Sequence, residues 1–106
     1  MTSLPVEYRP AARRDLLQIS DYLHREVSLA LAERFLMALD HTIQQIAGFP
    51  YAGSLFPVHR IHALEIRRWQ VKEFPRYLIY YAVGTRKVTF LRILHSARDI
   101  SSQSGI

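Results

Sequence analysis

Three side chains near the end of the chain have types and spacing suited to phosphate chemistry: Arg92, His95 and Arg98. Histidine exchanges a proton near neutral pH, and arginine neutralises the negative charge that develops on a reacting phosphate. Metal-free RNA cleavage needs those two roles and a geometry that sets the 2′-oxygen in line with the scissile bond. The three residues are therefore candidate catalytic residues of a metal-independent endoribonuclease.

The same segment also has a structural interpretation, and we favour it. In this interpretation His95 caps the last strand with a hydrogen bond, while Arg98 and Asp99 pair with each other or with the edge of the sheet. Histidine is often a side chain whose hydrogen bonds are already satisfied, and the sequence offers no partner base for it. No catalytic residue is therefore assigned, and we expect a protein that is not an enzyme.

A second group of residues combines cationic and aromatic side chains. The densest basic cluster of the chain consists of Arg67, Arg68, Trp69 and Lys72. Arginine and tryptophan often anchor interfaces, because they stack and because arginine makes bidentate contacts to carboxylates or phosphates. We predict that this cluster, together with Arg98 and Asp99, binds a target or an antagonist protein. The alternative is a solvated strand with Trp69 turned into the core.

The pair His59 and His62 has a spacing that occurs at some metal sites. The chain has no cysteine to complete a ligand shell around it, and the pair falls in a stretch that reads as a loop. We therefore predict neither a metal site nor a cofactor.

Size and composition indicate one small domain. The chain has 106 residues, of which 49% are hydrophobic, enough for a single core. We predict one domain over residues 1–100 and a flexible tail over residues 101–106. The lack of cysteine is typical of a cytosolic protein, and the longest apolar run, Tyr77–Val83, is too short to cross a bilayer. We expect a cytoplasmic protein without a membrane partner.

Charge is distributed unevenly along the chain, whose formal net charge is +5. Residues 1–58 carry five basic and six acidic side chains, whereas residues 59–106 carry nine basic and three acidic ones. A basic half favours an anionic partner, either nucleic acid or an acidic protein segment, because like charges sum to a potential that steers association. The alternative is that these charges only solvate the surface.

Apolar periodicity predicts a short strand followed by two helices. Alternation over residues 4–8 is typical of a half-buried strand. Apolar side chains at steps of three and four predict a helix over about residues 10–26. Ser28 is the predicted N-cap of a second helix, which ends at Gly48. Together the helices form a hairpin with one shared apolar side.

The second half of the chain reads as strands. Residues 49–63 contain prolines and a glycine and are predicted to be a connecting loop. From Leu64 the apolar positions change sides, which predicts a bulge near Arg67–Arg68. Residues 77–83 are predicted to form a central strand, and residues 88–95 a last strand whose side chains alternate strictly between two faces. The economical fold is α+β: an N-terminal strand, the helical hairpin and a three-stranded antiparallel meander beneath it.

Four segments resemble the RelE/ParE superfamily of toxins from bacterial toxin-antitoxin pairs, and its ParE branch in particular. These segments are residues 12–19 (ARRDLLQI) with Tyr22, residues 32–46 (beginning AERF), residues 74–81 (FPRYLIYY) and residues 93–99 (ILHSARD). The resemblance spans about residues 4–100 and implies the fold predicted above. It also implies a ParD-like antitoxin, commonly with a ribbon-helix-helix DNA-binding part and a disordered tail that folds onto the toxin.

The two branches of the superfamily differ in what the resemblance implies about activity. ParE-like toxins are associated with inhibition of DNA gyrase, whereas RelE-like toxins cut mRNA on the ribosome. RelE-like toxins place an arginine just before a Leu-Val-Tyr-like run, and the corresponding position here is Leu78, with Arg76 two residues earlier. An apolar side chain cannot bind a scissile phosphate.

We therefore predict a ParE-like toxin that binds gyrase and is neutralised by an acidic, amphipathic antitoxin tail laid across its helices and sheet edge. Two alternatives stay open: a RelE-like endoribonuclease, and a degenerate member that retains only antitoxin binding. We expect no direct nucleic-acid binding except through the antitoxin complex or, in the first alternative, to mRNA on the ribosome.

Overall fold

The computed structural model describes residues 3–61 and 64–97, and for residues 57–61 it describes the backbone alone. In chain order its elements are β1 (Val6–Tyr8), α1 (Pro10–Glu26), α2 (Leu29–Gly48), a short 3-10 helix (Pro50–Ala52), β2 (Ser54–Ile61), β3 (Leu64–Val71), β4 (Phe74–Val83) and β5 (Val88–His95). The strands form one five-stranded sheet in the order β1-β5-β4-β3-β2. The predicted α+β fold is confirmed. The sheet is mixed rather than purely antiparallel, because β1 runs parallel to β5.

The predicted loop over residues 49–63 is wrong. It contains the 3-10 helix and β2, which pairs antiparallel with β3, so the meander has four strands rather than three. Proline and glycine in this stretch suggested a loop because proline cannot donate to a sheet. β2 is the edge strand, however, and its register with β3 shifts between Phe56 and Arg60. An irregular edge strand accommodates a proline that a central strand would not.

Both helices begin where their sequence signals place them. Pro10 is the first residue of α1, where the missing N–H of proline is no loss. Ser28 caps α2, and its Oγ accepts a hydrogen bond from the Leu31 N–H at 3.0 Å. Neither helix in the described part of the chain is long and apolar enough to span a membrane.

Both faces of the sheet carry buried apolar side chains. On the helix side the sheet contributes Val71, Ile79, Tyr81, Phe90 and Ile93, which form one cluster with Phe35 and Leu39 of α2. The opposite side has a smaller cluster, formed by Ile66, Tyr80, Ala82, Leu91 and Leu94. β3 contributes to both clusters, because Ile66 lies in the smaller one while Trp69 and Val71 pack in the larger one. The bulge predicted near Arg67–Arg68 is therefore wrong. Pairing with β4 is regular there and shifts only between Gln70 and Val71.

The strict alternation predicted for β5 is also wrong. Tyr81 pairs with Phe90 and Tyr80 with Arg92, so Leu91 is an extra residue in the strand. Beyond this bulge the phase changes: Phe90 and Ile93 both belong to the helix-side cluster, while Leu91 belongs to the opposite one. A bulge re-aims the side chains beside it. Here the re-aimed residue is Arg92, one of the three candidate catalytic residues.

Candidate functional site

Arg92 lies in a buried ion pair with Asp15 on α1. Its Nε and Nη2 donate to the two carboxylate oxygens at 2.7 and 2.9 Å, and the Ile93 N–H donates to the same carboxylate at 2.9 Å. Arg92 is 8% exposed and Asp15 is 7% exposed. The hydrogen bonds that Arg92 donates to Asp15 raise the pKa of its guanidinium, while burial acts in the opposite direction. The bidentate pair therefore holds α1 against β5.

His95 lies at the end of β5, half-buried beside Tyr77. Its Nδ1 accepts a hydrogen bond from the Ala97 N–H at 3.1 Å, the strand-capping contact of the structural interpretation. The imidazole meets the Tyr77 ring edge-on, with 5.2 Å between ring centroids and 88° between planes. Because Nδ1 accepts, the neutral ring carries its proton on Nε2. The available hydrogen-bonding group of this histidine is therefore a donor.

A cleft of about 340 Å³ lies between α1 and the ends of β4 and β5. Its lining consists of Asp15, Gln18, Ile19, Tyr22, Tyr77, Ile93, Leu94 and His95. Burial, together with the nearby Tyr22, raises the pKa of the Tyr77 phenol, so the Tyr77 hydroxyl stays protonated at neutral pH. His95 therefore shares its cleft with the phenols of Tyr22 and Tyr77.

Arg98 and Asp99 lie outside the described residues, as do His62 and the side chain of His59.

The predicted basic cluster is divided between two places. Arg68, Trp69 and Lys72 line an open groove of about 790 Å³ that also includes Glu73 and Leu78. In this groove Arg68 is exposed, whereas Trp69 is half-buried against the helix-side core. Trp69 thus both contacts the core and lines the groove, and its predicted role in binding a partner stays a prediction.

Lys72 is held at the β3–β4 turn by α2. Its N–H donates to the Thr42 Oγ1 at 2.9 Å, and its Nζ lies 3.5 Å from the His41 Nε2. Thr42 is buried, and its hydroxyl donates a hydrogen bond to the Ala38 carbonyl at 2.7 Å. The turn that carries the lysine is therefore fixed relative to the helix.

Arg67 does not line that groove, because it supports the segment between α2 and β2. Its Nη1 donates to the Tyr51 carbonyl at 3.0 Å and to the Gly53 carbonyl at 2.9 Å, and its guanidinium lies over the Tyr51 ring at 5.2 Å. Tyr81, which is fully buried, donates its hydroxyl to the Pro50 carbonyl at 2.8 Å. Burial raises the pKa of Tyr81 to about 12, although a hydrogen bond from the Gly53 backbone and the charge of Arg67 oppose the shift.

The sequence did carry a signal for Asp15. The residue lies three positions after the buried Ala12 and four before Ile19, on the apolar stripe of α1. A carboxylate on such a stripe predicts a buried cationic partner. The contacts of Tyr51 and Tyr81 had no comparable signal, because they depend on a strand that the sequence did not predict. In the part of the chain that the structure describes, no group of three or more His, Cys, Asp or Glu residues is placed to hold a metal.

Comparison with known proteins places this chain in a class of toxins from toxin-antitoxin systems. The family model described as the ParE toxin of the type II toxin-antitoxin system, parDE, matches residues 6–100. The chain therefore belongs to the ParE toxin family, which confirms the resemblance seen in the sequence.

A solved structure described as a chromosomal ParDE toxin-antitoxin system from P. aeruginosa has the same fold. The two chains share 14% sequence identity and superpose with a TM-score of 0.70, over 88% of this chain and 96% of the other. Among curated protein sequences, no match to the chain is found.

Proposed function

We propose that this toxin acts in the cytoplasm by binding DNA gyrase, that it does not cut RNA, and that a cognate ParD-like antitoxin neutralises it. The observation that carries the proposal is the buried pair between Arg92 and Asp15. A phosphate-binding arginine must offer its donors to the substrate. Here two of those donors already bind a carboxylate that is itself buried, so a phosphate would have to displace Asp15 and leave its charge unpaired.

The hydrogen bonding of His95 supports the same proposal. A general base needs a nitrogen lone pair aimed at the proton that it removes. The Nδ1 lone pair accepts from the Ala97 N–H, and in that tautomer Nε2 carries a proton. His95 would have to give up its strand-capping hydrogen bond before Nε2 could act as a base.

The environment of Leu78 adds a further argument. This residue stands where the RelE-like pattern has an arginine, and its side chain packs against the smaller apolar cluster. Arg76, the shifted replacement, is exposed, and its carbonyl accepts a hydrogen bond from the Ser96 N–H at 2.6 Å. The side chain at position 78 thus contributes to packing and offers no donor to a phosphate.

The proposed antitoxin is a ribbon-helix-helix protein with an acidic, amphipathic tail. Support comes from the exposed apolar side chains of the helical hairpin, among them Leu17 and Leu29, at 65% and 55% exposure. An amphipathic segment laid on such residues buries apolar area, and acidic side chains in it complement the basic second half of the chain.

The deciding experiment measures two activities of the purified toxin: inhibition of gyrase-catalysed supercoiling, and cleavage of mRNA on ribosomes. We expect the toxin to inhibit supercoiling and not to cleave mRNA. Its expression in cells should stop DNA synthesis before protein synthesis. The variant Arg98→Ala should lose toxicity if the terminal cluster contacts the target. Arg86→Ala, an exposed arginine in the β4–β5 turn, is the matched control. A prompt halt of translation with cleaved mRNA would refute the proposal.

A further inference from the structure

Residues 49–55, which run from the end of α2 into the start of β2, expose three large apolar side chains. Phe49 is 62% exposed, Tyr51 66% and Leu55 44%. Single exposed apolar residues are ordinary, but a group of them around a cation is typical of an interaction surface. Leu55 pairs across the sheet with Arg67, whose guanidinium lies over the Tyr51 ring. We call this group, residues 49–55 together with Arg67, the aromatic platform.

Side chains of the sheet fix the backbone of the aromatic platform. The carbonyls of Pro50, Tyr51 and Gly53 all accept hydrogen bonds from side chains of the sheet. Gly53 lies so close to Tyr81 that an added Cβ would overlap the phenol. A surface whose backbone is fixed before binding loses little conformational entropy when a partner docks. Exposed aromatics on such a surface are the kind that anchor a protein interface.

The charge of the aromatic platform indicates what it would bind. Arg67 uses its Nη1 for the two carbonyls, and no carboxylate of the described residues forms an ion pair with it. Its remaining donors suit a carboxylate on a partner, next to an apolar group that covers Tyr51. RNA fits less well, because Arg68 lies over Phe56 rather than beside Tyr51, leaving one arginine for the phosphates.

We propose that the aromatic platform is the surface through which the toxin docks on its cellular target protein, where it receives an acidic side chain flanked by an apolar one. This proposal rests on the proposed function, because it assumes that the cellular target is a protein. A disordered antitoxin tail would be expected on the extended helical hairpin instead. The platform lies at the end of α2 remote from that hairpin turn, about 30 Å away for a helix of 20 residues.

Three variants test the proposal. Tyr51→Ala and the double variant Phe49→Ala/Tyr51→Ala remove exposed rings but retain the Tyr51 carbonyl that Arg67 needs, so the platform backbone should persist. Tyr51→Phe retains the ring and should behave as the wild type. Met37→Ala, 72% exposed on α2, is the matched control for loss of an exposed apolar side chain. Thermal unfolding of each variant verifies that the fold is intact.

We expect Tyr51→Ala to weaken inhibition of gyrase supercoiling about thirtyfold, the effect of removing an interface hot spot, and to abolish growth arrest on expression. Unchanged inhibition and arrest by the double variant would overturn the platform while leaving the gyrase proposal intact. If the wild type arrests growth without inhibiting gyrase, the gyrase proposal fails, and growth arrest by the double variant still decides the platform. The platform proposal would also be overturned if Tyr51→Ala lost binding to mRNA while its binding to the target protein was unchanged.

Discussion

Replacing Asp15 by alanine should be among the most destabilising single changes in this protein. The substitution leaves the Arg92 guanidinium buried without its carboxylate and removes the acceptor of the Ile93 N–H. Breaking a buried ion pair by deleting one partner costs about 3–5 kcal/mol, mostly because the remaining charge cannot be solvated. A domain of this size has a free energy of unfolding of about 5–15 kcal/mol, so one substitution would remove a large part of it.

Urea unfolding followed by tryptophan fluorescence measures this loss, since the single tryptophan, Trp69, is half-buried against the core. The control is Asp21→Ala. Asp21 pairs with Arg25 at 3.0 Å, but both side chains are 63% exposed, so the expected loss is about 0.5 kcal/mol or less. If Asp15→Ala lost less than about 1 kcal/mol, or no more than the control, burial would not make this ion pair indispensable to the fold.

Three further predictions concern the platform, its support and the end of α2. Gly53→Ala should destabilise the protein by about 2 kcal/mol or more in urea unfolding, because its Cβ would lie 2.9 Å from Tyr81 Cζ and 3.0 Å from the Arg68 carbonyl oxygen. Gly48→Ala, with nothing nearer than Ser3 Oγ at 3.8 Å, should instead stabilise α2 by about 0.5–1 kcal/mol. Stability should also fall between pH 10 and 12, because the folded-state pKa of Tyr81, about 12, lies above its unfolded value of 10.0. The contribution of about 2–3 kcal/mol is complete below pH 10 and is lost as pH rises through 12, and Tyr81→Phe should flatten that decline in alkaline urea titrations.

Sequence patterns located the elements whose signals are local. Pro10 and Ser28 specify the helix starts through chemistry within one turn, and the two helices end within a residue or so of their predicted limits. β2 could not be found in this way. Its place at the sheet edge is a property of the whole strand order, and only that order makes a proline-containing strand acceptable.

The candidate site was predictable in composition but not in arrangement. Adjacent residues of a strand point to opposite faces, so Arg67 and Arg68 could not act as one cluster once β3 was regular. The bulge at Leu91 had no sequence signal that distinguished it from continued alternation. With that bulge Arg92 pairs with Tyr80, and its guanidinium binds Asp15 on α1.

The last prediction separates the structural role of Arg92 from a functional one. In Asp15→Leu/Arg92→Met the ion pair is replaced by apolar side chains, an exchange that is often neutral or stabilising in buried sites. The Ile93 N–H still loses its acceptor, which costs about 1–3 kcal/mol. The double variant should therefore be more stable than Asp15→Ala, and it should not exceed the stability of the wild type by a wide margin. If Arg92 only joins α1 to β5, this variant should arrest growth as the wild type does. A variant that unfolds cooperatively yet is no longer toxic would show that the guanidinium contacts the target. Arg92 would then belong to the docking surface and not only to the packed interior.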